Sequence, residues 1–184
     1  MAHETETKVL NVNKNLISRK MKGLGAKEIL RTRYIVRWFW PKGSKEGKTP
    51  WYLRIRTTSE GTSEITFKGI SKKLGTSRTH REINVHVEDP IKVSELFIAL
   101  GLEQYAYQEK DRISWIYKHW RFELDRYPDM PEYLEIEGKS EKHINEAIQL
   151  LQLKNHKTSN EGERILIQEE YNLNWYTMKF HENK

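Results

Sequence analysis

Apolar and polar residues alternate along most of this chain, and the alternation recurs in short runs. "ETETKVL" (4–10), "TRYIVRWFW" (32–40), "WYLRIRT" (51–57), "SEITFKG" (63–69) and "REINVHVE" (81–88) come first. "AYQEKDRISWIYK" (106–118), "WRFELDRY" (120–127) and "EYLEIEG" (132–138) follow. These runs are rich in β-branched and aromatic residues, and turn signals such as "SEGT" and "YPDMPE" separate them. The pattern predicts eight β-strands at short spacing. Three stretches carry the longer helical period instead. In "NKNLISRKMKGLG" (13–25), Leu16, Ile17, Met21 and Leu24 fall near helical spacing, and Gly23 and Gly25 end the run. "DPIKVSELFIALG" (89–101) offers Asp89 as N-cap, Pro90 in the first turn and Gly101 as the stop. "SEKHINEAIQLLQL" (140–153) starts at the cap Ser140 and places Ile144, Ala147, Ile148 and Leu151 on one face. A short helix through "GERILIQEEY" (162–171) and a small strand in "NLNWYTMKF" (172–180) complete the expectation.

The two faces of each predicted strand differ sharply. Side chains at i and i+2 share a face. Leu53 and Ile55 therefore oppose Arg54 and Arg56, and Ile65 and Phe67 oppose Thr66 and Lys68. Ile83, Val85 and Val87 oppose Glu82, Asn84 and His86, while Ile113 and Trp115 oppose Lys110 and Arg112. Phe122 and Leu124 oppose Arg121, Glu123 and Asp125; Leu134 and Ile136 oppose Glu135 and Glu137. In "ETETK", Glu4, Glu6 and Lys8 share one face, with only Thr5 and Thr7 on the other. A sheet with one solvated side would account for alternation alone. Here nearly every central polar position is ionisable, with bases on the third, fourth and sixth strands and carboxylate pairs on the first and eighth. A sheet curled on itself would bring these faces into one lumen with a basic and an acidic wall. That lumen suits a polyanion gripped by Arg and Lys, with a divalent cation between it and the carboxylates.

Composition narrows the setting. The 184 residues suffice for one domain (1–184), and no Pro-rich or low-complexity linker divides them. Charged residues make up 32% and the formal net charge is +6, which favours anionic partners. Cysteine is absent, which excludes disulfides, thiolate chemistry and Cys-ligated zinc. No apolar run nears the roughly 20 residues of a membrane-spanning helix, and the polar N-terminus is unlike a signal peptide. A cytoplasmic protein without membrane partners is the expectation. "GSKEGKT" (43–49) approaches a phosphate-binding loop but has three residues between its glycines instead of four, and a strand follows it instead of a helix. Its lysines, with Lys42, belong to a solvated loop. "SKKLGTSRTHR" (71–81) is basic but lacks a nucleic-acid-binding signature, so nucleic acid is not an expected partner. Trp38, Trp40 and Trp51 could stack a base, although buried strand aromatics are the commoner use.

With these motifs in order, the chain resembles the CYTH superfamily, the triphosphate tunnel metalloenzymes. "ETETK" resembles its N-terminal ExExK signature, "LRIR" and "ITFKG" its basic strands, and "KDR" its Lys-x-Arg strand. "FELDRYPDMPEYLEIEG" resembles its closing Asp-bearing and Glu-x-Glu strands. The resemblance spans the whole chain. It implies an α+β fold: an eight-stranded antiparallel β-barrel tunnel with helices packed outside. It implies Glu4, Glu6, Glu135 and Glu137 as ligands of Mg²⁺ or Mn²⁺, with Glu82 as the first acid of a further pair. The second member of that pair is here Asn84, a departure from the usual Glu. Lys8, Arg54, Arg56, Lys68, Lys110 and Arg112 resemble the triphosphate-binding bases, with Arg121 and Asp125 on the same lumenal parity. Lys8, Arg56 and Asp125 are the candidate catalytic residues.

The implied reaction is metal-dependent hydrolysis of a triphosphate: inorganic triphosphate, a nucleoside triphosphate or thiamine triphosphate. The alternatives are a class IV adenylate cyclase, converting ATP to cyclic AMP and pyrophosphate, and a module that binds polyphosphate or nucleotide without turnover. A triphosphate-bearing small molecule is the expected partner, and a homodimer is compatible with the pattern.

Overall fold

The computed structural model describes residues 3–45, 48–49, 51–69, 72–75 and 77–181, with the side chains of 3, 4, 72–74 and 77–80 outside that description. Eight strands carry the architecture: β1 (His3–Val9), β2 (Lys27–Pro41), β3 (Tyr52–Thr58), β4 (Ser63–Lys68), β6 (Ser77–Val87), β7 (Leu102–Tyr117), β8 (Trp120–Arg126) and β9 (Tyr133–Gly138). Three short strands join them: β5 (Lys72–Leu74), β10 (Thr158–Ser159) and β11 (Thr177–Met178). The helices are α1 (Lys14–Leu24), α2 (Pro90–Ala99), α3 (Glu141–Leu150) and α4 (Glu163–Ile165), which runs into a π-turn at Leu166–Glu170.

The large strands hydrogen-bond in the order β1-β9-β8-β7-β2-β3-β4-β6, every neighbour antiparallel. The path returns on itself where His3–Glu6 of β1 pair with Arg78–Arg81 of β6. Beyond that point Lys8 and Val9 pair with β10 instead. This is the α+β tunnel architecture that the family resemblance implies.

Local chemistry explains the helix boundaries. Asn13 caps α1 by accepting from the Leu16 N–H, and Gly25, at φ +70°, closes it in the left-handed conformation. The Asp89 carboxylate accepts from the N–H groups of Ile91 and Lys92, each at 3.0 Å, and Pro90 opens α2. Ser140 caps α3 through the His143 N–H.

Several strands run longer than the alternation suggests. β2 begins at Lys27 and β7 at Leu102, because the two form one long ribbon interrupted by irregularities near Glu28 and Trp38. The outer end of that ribbon is solvated, and Arg31 and Glu28 pair along β2 at 2.9 Å, so no apolar alternation marks it. Within the basic stretch around 71–81, Lys72–Leu74 of β5 pairs with Ser77–Thr79 of β6.

Two apolar clusters sit on opposite sides of the sheet. On the outer face, Ile113, Trp115, Phe122, Leu124, Leu134 and Ile136 meet Ile17 and Met21 of α1 and Ile144, Ala147 and Ile148 of α3. The second cluster lies on the lumenal parity. Leu10, Val36, Trp38, Ala106, Tyr127 and Tyr133 surround Leu166, Ile167, Trp175 and Met178 from the C-terminal segment. That segment fills one end of the barrel with apolar side chains. Along β1 the inward positions pass from Glu6 through Lys8 to Leu10, from charge to hydrocarbon.

Phe122 is fully buried beneath the helical layer, whereas Ile116 on the rim is 42% exposed. Phe122→Ala is expected to cost about 3–5 kcal/mol in urea denaturation, and Ile116→Ala less than about 1 kcal/mol. Equal losses would overturn this difference in burial.

Candidate active site

A cavity of about 280 Å³ opens inside the charged half of the barrel. Strand register builds its acidic side. Glu6 of β1 stands opposite Glu137 of β9, Lys8 opposite Glu135, and Glu135 opposite Glu123 of β8. Glu6, Glu135 and Glu137 each present an oxygen within 4.8 Å of the others. Lys8 Nζ lies 2.7 Å from Glu135 and 3.6 Å from Glu6. Arg112 Nη2 also stands 3.8 Å from Glu135, and a divalent cation bound among the three carboxylates would further relieve their repulsion. An all-oxygen donor set matches a hard ion such as Mg²⁺ or Mn²⁺.

The facing wall is basic. Arg56 Nη2 donates to Glu64 at 2.7 Å, and Lys68 pairs with Glu82 at 2.8 Å. Asn84 also donates to Glu82, at 2.8 Å, so the residue that replaces a second acid holds the first one in place. Arg54 differs from its neighbours. It is 5% exposed and forms no ion pair among the described residues, and its Nε, like that of Arg56, has no hydrogen-bond partner. Burial, and then the adjacent Arg56 charge, pull its pKa below the ordinary arginine value. Its guanidinium stands 5.3 Å from the Trp38 ring centre, and Arg56 holds the same distance from Tyr34.

Beneath the cavity the charges interlock. Arg112 grips Asp125 through Nε and Nη2, each at 2.6 Å, and reaches Glu123 through Nη1. Lys110 Nζ bonds Asp125 at 2.9 Å and Glu163 of α4 at 2.6 Å. Tyr133 donates to both carboxylates, and Tyr127 donates to Glu163 at 2.8 Å. Burial alone would raise the pKa of Asp125, but Arg112 and Lys110 hold it below the ordinary value. Burial likewise opposes ionisation of Glu163, and Lys110 and Arg54 overcome it, keeping this carboxyl well below the usual range. Burial and the Arg112 charge pull Lys110 down, with Asp125 and Glu163 offsetting part of the effect. Burial and the two carboxylates push both tyrosine hydroxyls well above their ordinary value.

The residues singled out from the sequence thus fall into two layers. Arg54, Arg56, Lys68, Glu82, Arg112, Arg121, Glu135 and Glu137 line the cavity. Glu6, Lys8, Lys110 and Asp125 lie in the buried network behind it. Glu4 belongs to β1, with its side chain outside the described residues.

Other cavity residues escaped the sequence reading. Glu64 shares the parity of Thr66 and Lys68, and Glu123 that of Arg121 and Asp125, so alternation contained both. Glu163, Arg164 and Trp175 arrive from the C-terminal segment, where no alternation points inward. Tyr34 and Tyr52 join Trp38, one of the tryptophans the sequence offered for stacking, on an aromatic side of the cavity, and Trp38 also packs in the apolar end and donates to Gln108.

A family model for the CYTH domain matches residues 2–165. The PH1012 protein from Pyrococcus horikoshii OT3 is 29% identical, with a TM-score of 0.69 over 84% of this chain and 94% of that one. A Hippeastrum protein with a dominant triphosphatase activity is 10% identical, with a TM-score of 0.65 over 92% and 96% of the two chains. The triphosphatase of the Mimivirus capping enzyme is 14% identical, with a TM-score of 0.52 over 83% and 90%. No curated protein sequence matches the chain. The family model spans most of the sequence and the barrel carries the expected charged lumen: the chain belongs to the CYTH domain family.

Proposed function

We propose that this protein is a metal-dependent triphosphatase acting on inorganic triphosphate or on a nucleoside or thiamine triphosphate. One observation carries the proposal: a carboxylate cluster, with Glu135 and Glu137 on the cavity wall and Glu6 behind them, faces a buried arginine that forms no ion pair among the described residues. In this reading Arg54, Arg56 and Lys68 hold the phosphoryl oxygens, Arg54 in the most desolvated position. Arg112 and Arg121 approach from the opposite strands. Charge neutralisation in a site shielded from water is the main contribution available to a protein in phosphoryl transfer. Glu6, Glu135 and Glu137, with Glu4, would hold the cation, which would polarise phosphate oxygens or a water molecule. Lys8 beside Glu6 and Glu135 serves better as a fixed positive charge than as a base. Water forms the new O–P bond, the bridging P–O bond breaks, and the proton passes to solvent. The family and the triphosphatase activities of the Hippeastrum and Mimivirus proteins support this reading.

The aromatic side of the cavity favours a second reading, a cyclase with a nucleoside triphosphate as substrate. The products separate the two. Incubation with Mg²⁺ or Mn²⁺ and inorganic triphosphate, ATP, GTP or thiamine triphosphate is expected to yield orthophosphate and the diphosphate. Cyclic AMP with pyrophosphate would replace the first reading by the second, and tight binding without product would leave a binding module.

Three variants probe the assignment. Glu6→Gln combined with Glu137→Gln is expected to lower metal-dependent turnover by roughly 100-fold or more while the fold persists; undiminished turnover would remove these residues from the metal site. Calorimetry with inorganic triphosphate and Arg54→Ala should show binding weaker by roughly 10-fold or more, against little change for Leu53→Ala on the outer parity.

Glu163 ties the C-terminal segment to the cavity floor, and its folded pKa is depressed. Its contribution to stability is therefore present above the unfolded value of about 4.3 and is lost as pH falls through the folded value. Glu163→Gln is expected to cost roughly 2–4 kcal/mol at pH 7, and the gap in urea midpoint should narrow below about pH 4. A gap that stays constant with pH would show Glu163 to be uncharged in the folded protein.

A further inference from the structure

Three indole N–H groups of this chain meet acceptors within the fold. Trp38 Nε1 donates to Gln108 at 2.7 Å, Trp40 Nε1 to Glu103 at 2.8 Å and Trp120 Nε1 to the His143 carbonyl at 2.9 Å. Trp175 differs. It is 2% exposed, and its Nε1 has no hydrogen-bond partner among the described residues. A buried donor left unpaired costs free energy, and native folds leave few of them.

Loose packing does not account for this one, because the surrounding segment is tied down from several sides. Gln108, which accepts from Trp38, also donates through Nε2 to the Trp175 carbonyl. The Tyr176 carbonyl accepts from the Tyr107 N–H at 3.0 Å, and Asn174 Oδ1 accepts from the Tyr176 N–H at 3.1 Å. The Trp175 ring centre lies 5.1 Å from that of Trp38 and 6.0 Å from that of Tyr105. A phenylalanine would fill such an aromatic nest without orphaning a donor.

Trp175 also borders the cavity in which the basic wall is proposed to hold a triphosphate. Its neighbour Trp38 has the Arg54 guanidinium 5.3 Å from its ring centre, and Arg54 Nε is likewise unpaired. Two buried donors without partners thus lie against one tryptophan and line one cavity. Arg54 brings a positive charge. Trp175 brings a neutral N–H that can donate and cannot accept. The acceptor that satisfies both is an anionic oxygen. Leu166, Ile167 and Met178 fill the barrel end around Trp175 with hydrocarbon, so a charged chain that reaches this corner stops there. Trp175 lies past residue 165, where the match to the family model ends.

We propose that Trp175 is a substrate-binding residue whose indole N–H donates to the terminal phosphoryl group of a triphosphate held by Arg54. The proposal rests on the triphosphatase reading and adds an orientation to it. The chain enters phosphate end first, and an organic group, where the substrate has one, stays toward the mouth.

Nuclear magnetic resonance of the isotope-labelled full chain tests this. Inorganic triphosphate is added without divalent ions, so that the metal-dependent reaction stays off. The Trp175 indole resonance, identified by its contacts with the Trp38 and Tyr105 rings, is expected to move downfield on binding, and to do so with ATP as well. Calorimetry under the same conditions should show inorganic triphosphate bound roughly 10-fold more weakly by Trp175→Phe. Trp40→Phe should bind as the wild type does, since its indole N–H is already taken by Glu103. A Trp175 resonance that stays in place while triphosphate binds would overturn the proposal and leave the triphosphatase reading standing, as would undiminished affinity in Trp175→Phe. A shift produced by ATP and not by inorganic triphosphate would put the base at Trp175 and overturn the proposed orientation. Triphosphate binding that is absent, or indifferent to Arg54→Ala, would overturn both readings.

Discussion

A charge enclosed by a ring of strands must find its opposite within a few ångströms, because removal from water costs several kcal/mol per ion that only a well-made pair returns. The interior of this barrel obeys that constraint strand by strand. Arg112 on β7 meets Asp125 on the neighbouring β8, and Lys8 on β1 meets Glu135 on the neighbouring β9. Glu163 reaches Lys110 from outside the sheet order. A slip of one residue in any of these pairings would send the charges outward and hydrocarbon inward. The ion pairs therefore specify register as much as they add stability. Arg54 is the exception: it forms no ion pair among the described residues, and only the charges of Glu163 and Glu82 farther off favour its ionised form.

Parity made much of this arrangement legible. Whether a residue faces the lumen follows from counting by twos, and the count placed Arg54, Arg56, Lys68, Glu135 and Glu137 on one surface before any fold was known. Counting by twos says nothing of depth. Lys8, Lys110 and Asp125 share the inward parity of Arg54, yet they lie in a buried network and off the cavity wall. Depth is set by stagger between strands, which depends on pairings between residues far apart in sequence. Glu163 and Trp175 were less accessible still. Their helical and irregular segments carry no period of two, and their inward placement comes from filling the open end of a barrel whose shape must exist first. The basic stretch around 71–81 gave a related difficulty: it lacks apolar alternation, and it gains strand structure by extending a hairpin.

The outer surface follows the same logic with the opposite solvent. Where α1 and α3 cover the sheet, outward apolar rows are fully enclosed; where α2 alone stands, they stay partly exposed. Two surfaces of different kinds thus share one set of strands. Arg54 and Arg56 face the lumen while Leu53 and Ile55, their immediate neighbours, serve the outside.

The hydrocarbon filling at one end of the barrel has a kinetic consequence. A chamber closed by Leu166, Ile167, Trp175 and Met178 has its doorway at the charged end. Whatever enters there leaves by the path it took, and a group of high charge density held on the basic wall would leave slowly.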